Sequence, residues 1–137
     1  MRVLILTLIL LGPLSSNAFA MTVGDLYKYC KPYADRAFES TASNDLICIT
    51  YFRAVADSGL RICTNMKAAI SALGEDGKYA AGLRTVQKID GLGSHTGNII
   101  TAAIQSFVNG MSTKPEKWRF PPVQYVHFTL KKLIPCE

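Results

Sequence analysis

The stretch Asp45-Leu-Ile-Cys48-Ile-Thr-Tyr51-Phe52-Arg-Ala-Val55-Ala-Asp-Ser-Gly-Leu60 decides the fold class. Leu46, Ile49, Phe52, Val55, Ala56 and Leu60 recur every three or four residues, the spacing that lines up side chains on one face of a 3.6-residue helix. Asp45 falls in the first turn, where a carboxylate complements the helix dipole. An amphipathic helix of about four turns is expected, entered through a polar loop at Ser40, Thr41, Ser43 and Asn44. Ser58-Gly59 weakens its end, and Arg61-Ile62-Cys63 closes it or starts a turn. Thr64 or Asn65 then caps a separate segment, Met66 to Leu73, which Gly74-Glu75-Asp76-Gly77 ends.

Upstream, Thr22 is an N-cap with Asp25 three residues on, and Val23, Leu26, Tyr27 and Cys30 follow at helical spacing. That helix is short, with Pro32 soon after Cys30, yet Tyr33, Ala34 and Phe38 keep some apolar periodicity, which leaves room for a second turn or an irregular continuation. Downstream, Lys78 to Val86 adds two turns, and Asp90 to Gly97 carries enough glycine to read as a flexible loop. Ile99, Ile100, Ala103, Ile104, Phe107 and Val108 form a wide apolar face up to Gly110, a natural stop. Ser112 to Glu116 starts a short turn carrying Trp118 and Phe120. Pro121-Pro122 suits the first turn of a last helix with Val123, Val126, His127, Leu130 and Leu133 as its stripe. Apart from a weak alternation over Phe120 to Val126, no run reads as a strand. The chain is expected to be all-α, a small domain of four to five helices.

Four cysteines, Cys30, Cys48, Cys63 and Cys136, make an even set, and three connectivities exist for four thiols. In an antiparallel helix hairpin the end of the first helix faces the start of the second. That geometry pairs Cys30 with Cys48 and leaves Cys63 for Cys136. By chain entropy the loops, 18 and 73 residues apart in sequence, are worth about 3 and about 4.4 kcal/mol. Zinc needs closely spaced ligands, whereas these gaps are long and His95 and His127 stand alone. No Cys-x-x-Cys pair is present to lower a thiol pKa.

The first 20 residues differ from the rest. Arg2 is their one charge, Val3 to Leu11 is apolar apart from Thr7, and Ala18-Phe19-Ala20 has the small-x-small form of a signal-peptidase site. A signal peptide cut after Ala20 is expected, leaving residues 21–137 as one domain in an oxidising compartment. The apolar run is about half the roughly 20 residues of a spanning helix, so no stable membrane anchor is expected.

The chain of 137 residues carries 15 Lys+Arg and 10 Asp+Glu; removing Arg2 leaves 14 basic and 10 acidic side chains. No basic run exceeds Lys131-Lys132, which speaks against nucleic-acid binding. Gly91-Leu-Gly-Ser-His-Thr-Gly97 lacks the Gly-Lys-Ser/Thr end of a phosphate loop. Ser94 and His95 beside Asp90 do not make a nucleophile and base by adjacency alone. His127 reads as a core or interface histidine, Trp118 as a core plug or an anchor. No catalytic residue, metal site or cofactor is assigned.

The order of short motifs carries more than any one of them. Leu26-x-x-x-Cys30, Cys48-Ile-x-Tyr51-Phe52 opening a helix, Ile62-Cys63 and a terminal Leu133-Ile-Pro-Cys136 follow a signal peptide. This resembles the Tai/Rap family of periplasmic immunity proteins of the type VI secretion system, over most of Gly24 to Cys136. Ile49 and Ile62 replace the family's Gly and aromatic residue, and Thr64 to Thr96 is longer than its usual link. The resemblance implies a non-catalytic periplasmic protein that binds and occludes an incoming peptidoglycan amidase. It also implies that a homodimer is among the expected assemblies. Within that reading, Gly74 to Asn98 is expected to supply part of the contact, through Arg84, Lys88, His95 and Asn98. An acid-stress periplasmic chaperone and, further off, a small secreted hydrolase are the alternatives.

Overall fold

The computed structural model describes residues 20–40 and 42–137, and within them the chain is all-α. Five helices follow in order: α1 (Val23–Asp35), α2 (Ser43–Leu73), α3 (Ala80–Asp90), α4 (Gly97–Ser112) and α5 (Val123–Leu133). A single 3-10 turn, Pro115–Lys117, precedes α5. The proposed signal peptide lies outside the described residues, except for Ala20.

Helix α1 starts where the sequence places it. The Asp25 N–H donates to the Thr22 hydroxyl at 3.2 Å, and the Thr22 N–H donates back to the Asp25 carboxylate at 3.1 Å. This reciprocal box satisfies two donors that a helix start leaves open. Pro32 does not end the helix; it sits one turn from the C-terminus, which removes only one late hydrogen bond. Ala37 and Phe38 then take left-handed backbone angles, φ 52° and 67°, and reverse the chain. Phe38 is held there by an edge contact with Tyr33 at 5.2 Å and by its N–H on the Tyr33 carbonyl at 3.0 Å.

The two segments expected between Asp45 and Leu73 are one unbroken helix of 31 residues. Gly59 marks a close approach rather than an end: a Cβ there would lie 2.5 Å from the Leu92 side chain. Its carbonyl also accepts the Leu92 N–H at 2.9 Å. Thr64 caps nothing, because its hydroxyl donates back to the Leu60 carbonyl at 3.0 Å from within the helix. Asp45 does more than face the dipole. It is 1% exposed, accepts the Ala42 N–H, and receives Arg36 on both carboxylate oxygens at 2.6 Å. That pair locks the α1–α2 turn beside the Cys30–Cys48 bridge.

Both expected disulfides are formed, with Cα separations of 5.1 Å for Cys30–Cys48 and 5.8 Å for Cys63–Cys136. The main core joins α1, the first half of α2, α4 and α5 around Phe52, Phe107, Leu26, Ile104, Leu92 and Leu130. The rings of Phe52 and Phe107 meet edge to face at 5.6 Å. Beyond Cys63, α2 leaves this core and α3 folds back along it; Ala80 is the one buried side chain of α3. These two half-free helices form an arm on a stapled body.

Asp90 to Gly97 was expected to be flexible, and its first half is instead pinned. Leu92 is fully buried and pairs with Pro135, Gly93 donates to the Ile134 carbonyl at 2.8 Å, and Gly91 abuts Cys136. The ambiguous Phe120 to Val126 run resolves into a turn and the start of α5. No described helix is long and apolar enough to cross a membrane.

Candidate binding groove

The helix pattern that buries one face of α2 leaves a second apolar stripe outside. Ile47, Tyr51, Ala54, Ser58 and Ile62 recur every three or four residues on that side. Between them, the end of α3 and the facing side of α5 lies a groove of about 840 Å³. Its α5 wall is Val123, Gln124, His127, Phe128 and Lys131, and Ile89 and Asp90 close one end. A smaller hollow of about 450 Å³ over Leu46, Ile47 and Thr50 shares Tyr51 and Ala54 with it. The two therefore run on from one another along α2.

The groove is apolar and open. Leu46, Ile89, Val123 and Phe128 are all more than two-fifths exposed although they line or flank it, with Phe128 at 61%. Contiguous exposed apolar surface of this kind marks an interaction site more often than a resting surface. Partial burial in this wall pushes the Tyr51 phenol above its ordinary pKa of 10.0, because the phenolate would lose solvation.

Polar groups hold the α5 wall in place. His127 Nε2 lies 3.0 Å from the Asp90 carbonyl, and the Lys131 ammonium donates to the carbonyls of Lys88 and Ile89. Those carbonyls end α3, where a cation meets both unsatisfied acceptors and the negative end of the dipole. Lys132 lies over the exposed Phe128 ring at 4.5 Å. Arg119 and Lys117 flank Phe120 at 5.2 and 5.9 Å, three residues before Val123. His127 is thus an interface histidine with its ring nitrogen engaged. Trp118 is a core plug: it packs on Tyr27 at 4.9 Å, and its indole N–H donates to the Met111 carbonyl at 3.0 Å.

The four residues singled out for partner contact are not one cluster. Arg84 donates to the Glu75 carbonyl at 2.8 Å and ties the α2–α3 turn, whereas His95 Nε2 lies 3.3 Å from the Asp57 carboxylate. From Asp57 to the end of α2 at Leu73, a rise of 1.5 Å per residue spans roughly 24 Å. Lys88 is exposed on α3, and Asn98 is exposed in the first turn of α4. Ser94, His95 and Asp90 do not converge, since His95 turns to Asp57 and the Asp90 carbonyl takes His127. No group of potential metal ligands occurs among the described residues.

The groove was not among the residues read from the sequence. The signal was present in the second stripe of α2, but periodicity alone cannot tell which of two apolar stripes finds a partner within the chain. No family model matches the chain, and neither a curated protein nor a solved structure matches it.

Proposed function

We propose that the protein is an exported immunity protein that binds a peptidoglycan amidase in the periplasm and blocks it by occupying it. The observation that carries a binding role is the open apolar groove on a body stapled by two disulfides. Such a body keeps its shape while leaving apolar side chains exposed, as an interface must. The class of partner rests on the motif order from Leu26 to Cys136, and the two oxidised cysteine pairs are compatible with an oxidising periplasm. The arm adds a second surface, with Arg84 and Lys88 on α3.

The test is capture and inhibition. The exported, oxidised protein is mixed with candidate cell-wall amidases, and complex formation and residual peptidoglycan cleavage are measured. Stoichiometric loss of one amidase's activity is expected. Suppression of aggregation of many unrelated proteins at pH 2 to 3, with no amidase bound, would replace this reading with the chaperone one.

A further inference from the structure

The charge surplus of the chain lies in the segment that leads into and forms α5, of which Lys131 lines the groove and Lys132 lies over the groove-lining Phe128 ring. From Lys114 to Lys132 there are five basic residues, Lys114, Lys117, Arg119, Lys131 and Lys132, against Glu116 alone, a surplus of four. The rest of the chain from residue 21 holds nine basic and nine acidic side chains. The net charge of residues 21–137 therefore resides in the segment that builds the turn before α5 and α5 itself. Asp90 is the one carboxylate lining the groove.

We propose that the groove receives an acidic amphipathic helix of a protein partner, laid along α2 and α5. Three observations select that occupant. The floor from Leu46 to Ile62 spans sixteen steps of α2, roughly 24 Å, which matches a helix of four to five turns. The groove is open on its outer side, so an acyl chain in it would stay half wet, whereas an amphipathic helix buries one face and leaves the other in water. The cation at the α5 wall, Lys132 over the groove-lining Phe128 ring, with Arg119 in the turn that leads into α5, meets carboxylates flanking the apolar face of such a helix. A second copy docked through the same surface would bring together two faces that each carry Lys131 and Lys132, and a flat anionic membrane cannot enter the recess between the helices.

This inference rests on the binding role proposed above and names the partner's chemistry at the groove. The probe is an 18-residue synthetic peptide with Leu at helical i, i+3, i+4 and i+7 spacing and Glu on the flanks; its control carries Lys in place of Glu. Fluorescence anisotropy in low salt should give at least tenfold tighter binding of the Glu peptide. Amide shifts should centre on Ala54, Ser58, Val123 and Phe128. Ala54→Glu should weaken binding at least tenfold, and the double variant Arg119→Glu, Lys132→Glu should reverse the peptide preference. All the substituted side chains are exposed, and thermal melts verify the fold.

Equal binding of both peptides, shifts mapping elsewhere, or no peptide binding would overturn the proposal. So would phosphatidylglycerol vesicles or a concentration-dependent dimer covering the same residues in place of the peptide. If an amidase is inhibited equally by the wild type and Ala54→Glu, the groove proposal fails and the immunity reading stands. If the Glu peptide binds as described but no amidase is inhibited, the reverse holds.

Discussion

The body and the arm are made from the same helix, and they are stabilised in different ways. In the body, α2 buries Cys48, Phe52, Ala56 and Gly59 against three other helices. In the arm, the last ten residues of the same helix bury Ile70 alone, and α3 buries Ala80 alone. The junction lies at Cys63, bonded to Cys136, one turn beyond the Gly59–Leu92 contact. The difference shows that a continuous hydrogen-bonded helix does not imply uniform stability, because helical order follows the backbone while stability follows burial.

The largest test of this contrast removes core volume. Phe52→Ala should lower the unfolding free energy by about 3 to 5 kcal/mol, since Phe52 is fully buried against Phe107. Leu83→Ala, at a half-buried arm position, should cost about 1 kcal/mol or less. Urea titrations of both variants decide the matter. Equal losses would mean that the arm is as tightly integrated as the body.

Next in size is the staple at the junction. Replacing Cys63 and Cys136 together with Ser should cost about 2 to 4 kcal/mol. It should also raise amide exchange in Leu92, Gly93 and α5, because the chain end holds them through the Ile134 carbonyl and the Pro135 bridge. If exchange rose only in α3, the bridge would serve the arm rather than the body.

The contact at Gly59 is smaller but sharper. Gly59→Ala places a methyl 2.5 Å from Leu92 Cγ, so Leu92 must move or the helices must part. A loss of about 1 to 3 kcal/mol is expected, although alanine is otherwise the better helix former by about 1 kcal/mol. The companion Leu92→Ala, Gly59→Ala should recover part of the contact loss relative to the sum of the single changes. Additive effects in thermal or urea unfolding would separate the two residues.

Gly110 lies inside α4, which runs on to Ser112 instead of stopping there; the all-α class, the cap at Thr22 and the cysteine pairs were legible from helix spacing and the hairpin it implies. The continuity of α2 was not. Gly59 and Thr64 have the local character of helix punctuation, and only Leu92, thirty-three residues away, reveals why a glycine belongs there. Asp45 shows the same limit: its place in the first turn was readable, but its pairing with Arg36 required the reversal at Ala37 and Phe38. The groove combines both difficulties. Its α2 stripe is local, whereas its α5 wall depends on distant contacts: Val126 and Leu130 buried in the core, and Lys131 and His127 on the end of α3.

The smallest effect concerns where the body begins, and it depends on pH. The hydrogen bonds from Thr22 hold the Asp25 carboxyl below its ordinary value of 3.8, with the side-chain bond the larger cause and Lys28 adding a little. A carboxyl whose folded pKa is depressed stabilises the fold above its unfolded pKa. That contribution is lost as the pH falls through the lower, folded value. Thr22→Ala removes the hydroxyl of the capping box and should cost about 1 kcal/mol near neutral pH. The gap between wild type and variant should stay constant down to about pH 5 and narrow progressively once Asp25 protonates below pH 4. Urea unfolding of the pair at a series of pH values measures it. The arm contains no matching box, since α3 begins at Tyr79 without a side-chain cap, so alanine at Tyr79 should leave a pH-independent difference across the same range. A gap for Thr22→Ala that widened toward acid would mean that the Asp25 carboxyl is stabilised by something other than its cap.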